Sequence, residues 1–441
     1  MTWFADIAQE ISREKIEELT ERAALAALAK ICAYPKRVLL LPPDITRAHS
    51  GAGFITEKLY HFFTERGAEV HLIPTLGQHV PHTPEQNQWM FGSIPEERIH
   101  AHDYKGGVES IGSVPAEFVK RATDGIVDWS MPVAINRSLL HGNWDLIMNI
   151  GHVVPHEVLG FANHNKNYLI GLGGKDTLCA SHMMAACCGI ENNLGSLVTP
   201  LRACFNYAED KFLSHLPDCY LMVVMRYNEN SQLVHSGFFV GDSVDTYLDA
   251  ARLSREQNIT IVEEPIRKIV AVMQGDEFYS TWVANKAVYR TRMAMADGGE
   301  LLIIAPGLKR FGEQPEIEAI IRKYGYVGTE RVMELWRKSQ DLQDFANGTA
   351  HLINGSSEGR FSIRYAPGAL TRQEIEQVNF SYADLKETLE RYKPDKLSTG
   401  WNTMNDGEQI FFISTPSAGL WTTRERLMKK RFPDIVEVPY G

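Results

Sequence analysis

The sequence is short of cysteine, of positive charge and of long apolar runs, and each shortage removes a class of protein. Its six cysteines, Cys32, Cys179, Cys187, Cys188, Cys204 and Cys219, form no C-x-x-C pair. Zinc ribbons, dithiol redox motifs and iron–sulfur clusters therefore lack their ligands. Most lie among apolar neighbours, as in "MMAACCGI", the setting of small buried thiols in a reduced, cytoplasmic protein. Lysine and arginine number 45 against 55 acidic residues, for a net charge of −10. That balance argues against a nucleic-acid or anionic-membrane surface. No apolar run approaches the roughly 20 residues of a membrane span. The opening "MTWFADIAQEISREKIEEL" carries acids where a signal peptide needs a basic patch and an apolar core. It reads as an amphipathic helix of the mature protein.

What is present is an α/β pattern. At 441 residues the chain is too long for one ordinary core, which predicts two domains. "RVLLLPP" (37–43), "AEVHLIPTLG" (68–77), "NWDLIMNIGH" (143–152), "CYLMVVMR" (219–226) and "LVHSGFFVGD" (233–242) read as strands. Between and after them, 53–66, 177–188 and 243–257 repeat apolar residues at helical spacing. The pattern restarts after "EEPIRKIVAVMQ" (263–274). A helix is predicted over 280–297, a strand over 299–307, helices over 315–325 and 329–345, and a strand over 409–415. Strand–helix alternation of this kind predicts largely parallel sheets. The expected domains are 1–265 and 266–441. In open α/β sheets ligands collect at the C-terminal strand ends. "PPDITR", "PTLGQH" and "MNIGHVVPH" each begin where an apolar strand ends, so one sheet edge is a site candidate.

Histidine numbers only 15, yet His152, His156, His164 and His182 crowd into residues 151–182 with Lys166 and Lys175, and His79 and His82 lie upstream. Two motifs in this region mislead. "GLGGKDT" (171–177) resembles a phosphate loop, but Asp176 stands where a hydroxyl must hold magnesium. "HVVPH" has zinc-helix spacing, but Pro155 breaks that helix and the glutamate of H-E-x-x-H is missing. "PDITR" reads either as a turn with an Asp–Arg pair or as a loop whose Arg47 grips a carboxylate with two parallel hydrogen bonds. His79 and His156 are candidate acid/base groups, since imidazole exchanges protons in both directions near neutrality. The residues alone thus reach a metal or cofactor site with two candidate bases.

The ordered set "DITR", "GQHVPHT", "PHEVLGFANHNK" and "SH" (181–182) resembles the nickel-pincer-dependent lactate racemase family. Lys166 lies ten residues after His156, and His182 sixteen after Lys166, the intervals of that family. "WVANKA" (282–287) resembles its substrate-holding helix. The resemblance implies two α/β domains with the active site in the cleft between them. It implies a nickel-pincer nucleotide attached covalently through Lys166, with His182 as nickel ligand and Asp44 and Thr46 in the cofactor-binding loop. Arg47 and Lys286 would hold the carboxylate of a 2-hydroxy acid. His79 and His156 would exchange the hydroxyl proton while the C2 hydride moves to the cofactor and back. Cofactor-making enzymes are implied partners.

Departures from the pattern shape the substrate expectation. Asn163, His164 and Asn165 stand where the family is glycine-rich, and Val283 stands where a glutamine often helps bind substrate. "INGSSEGRFSIRYAPG" (353–368) either lines the cleft with Ser356, Ser357, Glu358 and Arg360 or forms surface turns. These hydrogen-bonding groups predict C2 epimerisation of a polyhydroxy acid such as an aldonate. The alternatives are racemisation of lactate or another short acid, a zinc enzyme, and a non-catalytic protein that binds the acid or the cofactor.

Overall fold

Apolar runs too short for helices and bounded by turns become the strands of two sheets. The structure, a computed structural model, describes residues 1–230, 232–275 and 278–432. Two units are defined by their internal contacts. The first comprises Met1–Ser181 and Ser196–Gln257, the second His182–Gly195 and the described residues from Asn258 to Phe432.

In the first unit the strands are β1 (Thr2–Ile11), β2 (Arg37–Leu41), β3 (Glu69–Leu72), β4 (Val108–Val114), β5 (Met131–Asn136), β6 (Leu146–His152), β7 (Pro155–His156), β8 (Gly160–Phe161), β9 (Asp218–Tyr227) and β10 (Leu233–Gly241). Six of them form one sheet in the order β1-β10-β9-β6-β2-β3. The run β9-β6-β2-β3 is parallel, and β10 and β1 close the edge antiparallel. Helices Arg13–Ile31 and Ala52–Thr64 cover one face. There Leu19, Ala23, Ile55, Leu59 and Phe63 pack on Val38, Leu40, Met148, Ile150 and Leu221. The central strands are apolar on both faces because both are covered. An antiparallel hairpin, β4–β5, stands apart from the sheet.

The second unit contains β11 (Ile259–Val262), β12 (Ile266–Val272), β13 (Met295–Ala305), β14 (Ser362–Pro367), β15 (Ser381–Tyr382), β16 (Gly400–Thr403), β17 (Gln409–Ile413) and β18 (Leu420–Thr423). Its six-stranded sheet runs β15-β14-β13-β12-β17-β16 and is parallel except at β16. Strands β11 and β18 pair separately, in parallel. The α/β class with mostly parallel sheets is therefore what the chain adopts. Among the described residues no helix is long and apolar enough to cross a membrane.

Three helix expectations need correction. The N-terminal residues form edge strand β1, whose Phe4 and Ile7 pair with Val240 and Gly237 of β10. The helix begins only at Arg13, where the Ser12 side chain accepts the Lys15 N–H. The helix expected over 280–297 is interrupted at Asn285 and ends at Thr291, because Met295 already belongs to β13. The helix expected over 329–345 is two shorter ones, Thr329–Trp336 and Gln340–Asp344.

Candidate functional site

Strands β6, β2 and β3 are parallel neighbours, so the three polar loops that leave their C-terminal ends meet on one edge of the first unit. After β2, the buried Asp44 carboxylate accepts the Thr46 N–H at 2.8 Å and caps the short helix Ile45–Ser50, which carries Arg47. After β3, the chain turns at Gly77 (φ +60°) and reaches His79. Three residues on, His82 Nε2 accepts the Ile45 N–H at 2.9 Å and Nδ1 meets Asn87 Oδ1 at 3.1 Å. His82 thereby pins the Asp44 loop to the His79 loop. Burial lowers its pKa, with His79 acting in the same direction and Asp44 opposing.

After β6 come His156 and Glu157. His156 Nδ1 accepts the Val158 N–H at 3.1 Å, and its Nε2 lies 3.9 Å from Glu157 Oε1. Ten residues on, Lys166 stands at the start of the single π-turn Asn167–Gly171. Burial, helped by the Arg47 guanidinium, pulls the Lys166 ammonium down to about 7, against the opposing pull of Asp44 and Glu157. Desolvation disfavours the charged form, so much of this amine is neutral and nucleophilic at physiological pH. Asp44, Arg47, Glu157 and Lys166 therefore form one electrostatic group, and His79, His82 and His156 lie on the same loops. Lys175, the other lysine of the window, begins the helix Lys175–Cys188.

The approach to Lys166 explains why glycine suits it. Asn163 (φ +75°) and His164 (φ +61°) are consecutive left-handed residues, each strained by on the order of 1 kcal/mol or more. Their side chains point into the unit. The His164 ring stacks on Tyr220 at 4.2 Å, with Nδ1 3.6 Å from Glu209. Asn165 Nδ2 donates to Asn206 Oδ1 at 2.8 Å and to Glu209 Oε2 at 2.9 Å, and its Oδ1 accepts from Arg202. Asn163 Oδ1 accepts from the His164 N–H and from Asn167 Nδ2, which leaves Nδ2 as an unmatched donor. Internal partners thus engage Asn165, whereas the His164 ring packs on Tyr220 with both nitrogens buried and without a hydrogen-bond partner.

The second unit carries His182 and Lys286. His182 is half-buried in the helix Lys175–Cys188, and Lys286 is half-buried at the start of Lys286–Thr291. Val283 is buried in that unit. Beside it Trp282 stacks on His351 at 4.6 Å, and the His351 nitrogens meet the Tyr289 and Tyr326 hydroxyls, each at 2.8 Å. Glu358 accepts from Thr329, while Arg360 pairs with Glu191 and Asp297, so the 356–360 turn is committed within its own unit.

Among the described residues no group of three or more His, Cys, Asp or Glu side chains could hold a metal ion. Sequence reading had missed Arg202 and Glu157, and had named His82 without giving it a role. The only signal for Arg202 was an arginine set in the otherwise apolar "PLRACF".

Fold and site together define a two-unit α/β protein whose first unit presents a reactive lysine beside an arginine and histidines. The model of the lactate racemase N-terminal domain family matches residues 6–193. That match covers less than half of the chain and makes its N-terminal part similar to that of lactate racemases. A crystal structure of a Thermotoga maritima protein is similar over 95% of this chain and 100% of its own, at 25% identity and a TM-score of 0.80. The lactate racemase apoprotein from Thermoanaerobacterium thermosaccharolyticum shares the fold over 93% of both chains, at 17% identity and a TM-score of 0.66. No curated protein matches the sequence.

Proposed function

We propose that the protein is a racemase or epimerase that inverts C2 of a 2-hydroxy acid, with Lys166 as the attachment point of a nickel-pincer nucleotide. The observation that carries this reading is the Lys166 amine, brought down to about 7 by burial and Arg47. An amide or thioamide bond to lysine needs the neutral amine, and this one is available without a dedicated base. The match of residues 6–193 to the lactate racemase N-terminal domain supports the hydroxy-acid class. Asp44 and Thr46 would shape the loop that holds the cofactor, and His182 would give nickel one imidazole beside the cofactor's soft sulfur donors.

When bound, such a cofactor supplies reversible hydride acceptance from C2. The chain's own groups do the rest. Arg47 takes the substrate carboxylate in a two-point hydrogen bond, and Lys286 adds a second cation. His79 and His156 exchange the hydroxyl proton on opposite faces of C2. The polyhydroxy acid expected from the sequence, an aldonate, is the narrower form of this proposal; Asn165 is held by internal partners, while Asn163 Nδ2 and both His164 ring nitrogens are buried without a hydrogen-bond partner. The six free thiols fit a reduced, cytoplasmic setting.

The deciding experiment is peptide-level mass spectrometry with nickel and sulfur analysis on protein co-produced with cofactor-making enzymes. An added mass should map to the Lys166 peptide, vanish in Lys166→Ala and persist in Lys175→Ala. An adduct that follows Lys175, or none at all, overturns the proposal. An adduct without turnover of any 2-hydroxy acid would make the protein a cofactor binder.

A further inference from the structure

We infer that Arg202 is the positioning residue for the Lys166 amine, because its guanidinium ties down the left-handed turn that delivers Lys166. Arg202 is fully buried in the helix Pro200–Ala208. Nη2 donates to the Phe161 carbonyl at 2.7 Å, and Nη1 donates to the Asn163 carbonyl at 3.2 Å and to Asn165 Oδ1. These three acceptors bracket Asn163 and His164, two residues whose backbone would relax if released. Asn165 passes the grip on to Asn206 and Glu209, and the guanidinium lies 4.2 Å over the Tyr247 ring. Lysine cannot reproduce such a planar, several-pointed contact.

Two effects follow, and both act in the same direction. The fixed turn holds Lys166 in its desolvated position, and the buried Arg202 charge adds to Arg47 in disfavouring the ammonium. Asp44 and Glu157 oppose, and the substitutions below leave them in place. The purpose assigned to this arrangement rests on the proposal that Lys166 receives the cofactor. The geometry and its test do not.

The test uses the apoprotein and a limiting amine-acylating reagent, acetyl N-hydroxysuccinimide, across pH 6 to 10. Labelling of Lys166 and Lys175 is read from peptide masses, and folding is checked by circular dichroism. Wild-type Lys166 should titrate at about 7. Arg202→Met should raise that midpoint by at least about one unit, which cuts Lys166 labelling at neutral pH roughly fivefold with Lys175 unchanged. Arg202→Lys keeps the charge and should recover part of the shift. Should Arg202→Met not fold, Asn165→Ala decides: it removes one anchor and should give a smaller upward shift. A folded variant of either residue that keeps the wild-type Lys166 midpoint overturns the inference, as does an ordinary lysine midpoint in the wild type. Failure of the cofactor proposal would look different. Lys166 would then stay unmodified in co-produced protein while its dependence on Arg202 persisted.

Discussion

His156 accepts the Val158 backbone N–H at Nδ1 over 3.1 Å, so the proton of a neutral His156 sits on Nε2. In that form Nε2 donates a hydrogen bond and cannot take a proton until the Val158 contact opens. Long-range ¹⁵N–¹H spectra should show the Nε2–H tautomer for His156 in the resting protein; the Nδ1–H tautomer would contradict the geometry. In the proposed reaction, His79→Ala and His156→Ala should each lower turnover by roughly 10²–10⁴-fold while nickel is retained. Near-normal turnover in either variant would remove that histidine from the proton transfers.

The sequence revealed the strands that are apolar throughout, and for a physical reason. Leu39, Met148 and Val223 sit in central parallel strands covered on both faces, which leaves no polar positions to confuse the period. Edge strand β1 was misread because Phe4, Ile7 and Ile11 also fit helical spacing, and pairing with β10 decides between the two. Hairpin β4–β5 was missed because "VESIGSV" is largely exposed and carries little apolar pattern. At the site, the interval from His156 to Lys166 was legible only through the family resemblance. Arg202 was not, because its partners Phe161, Asn163 and Asn165 lie some forty residues earlier.

Gly171 ties the Lys166 segment to the His79 loop. Its carbonyl accepts the Gly77 N–H at 2.8 Å, and a Cβ on it would come within 2.5 Å of the Thr75 Cβ. Gly171→Ala should therefore push Thr75 away and cost roughly 1–3 kcal/mol of stability by overpacking. Thr75 also holds the Pro42 carbonyl, so the Asp44 loop should shift with it. A lowered Tm together with a loss of turnover larger than the stability loss explains is expected. Unchanged turnover would show that the two loops do not depend on this contact.

Asp218, bonded by the Tyr168 hydroxyl at 2.8 Å, is pushed by burial, and by neighbouring Glu209, from 3.8 up to about 7. Between those values the folded protein keeps a proton that the unfolded chain releases. This contribution to stability is complete at low pH and is lost as pH rises through about 7. Glu209, also raised by burial, acts with the same sign. Lys166, lowered from 10.5 to about 7, works oppositely, and its contribution grows as pH climbs from about 7 toward 10.5. Asp218→Asn should remove the first effect alone. Compared with the wild type, its Tm should hold up better as pH rises from about 5 to about 7.5, and parallel Tm curves would refute the assignment.

The chain length of the acid is the last prediction, and the geometry sharpens it. Asn165 is held by Arg202, Asn206 and Glu209, so it does not meet the far hydroxyls of a bound acid, and the His164 ring stacks on Tyr220. Asn163 keeps an unmatched Nδ2 and is the trio's candidate for such a contact. A buried donor left unpaired by a shorter substrate discriminates strongly against it. Asn163→Gly, which tolerates the left-handed backbone, should therefore lower kcat/KM for a gluconate-type acid while sparing lactate. Asn165→Ala, which acts through Lys166, should lower both by the same factor. In deuterated water the inverted product should carry little solvent deuterium at C2, because the hydride leaves and returns without exchange. Turnover of lactate alone, with Asn163→Gly indifferent, would set the substrate as a short acid and leave C2 inversion intact; heavy deuterium incorporation would reject the hydride route itself.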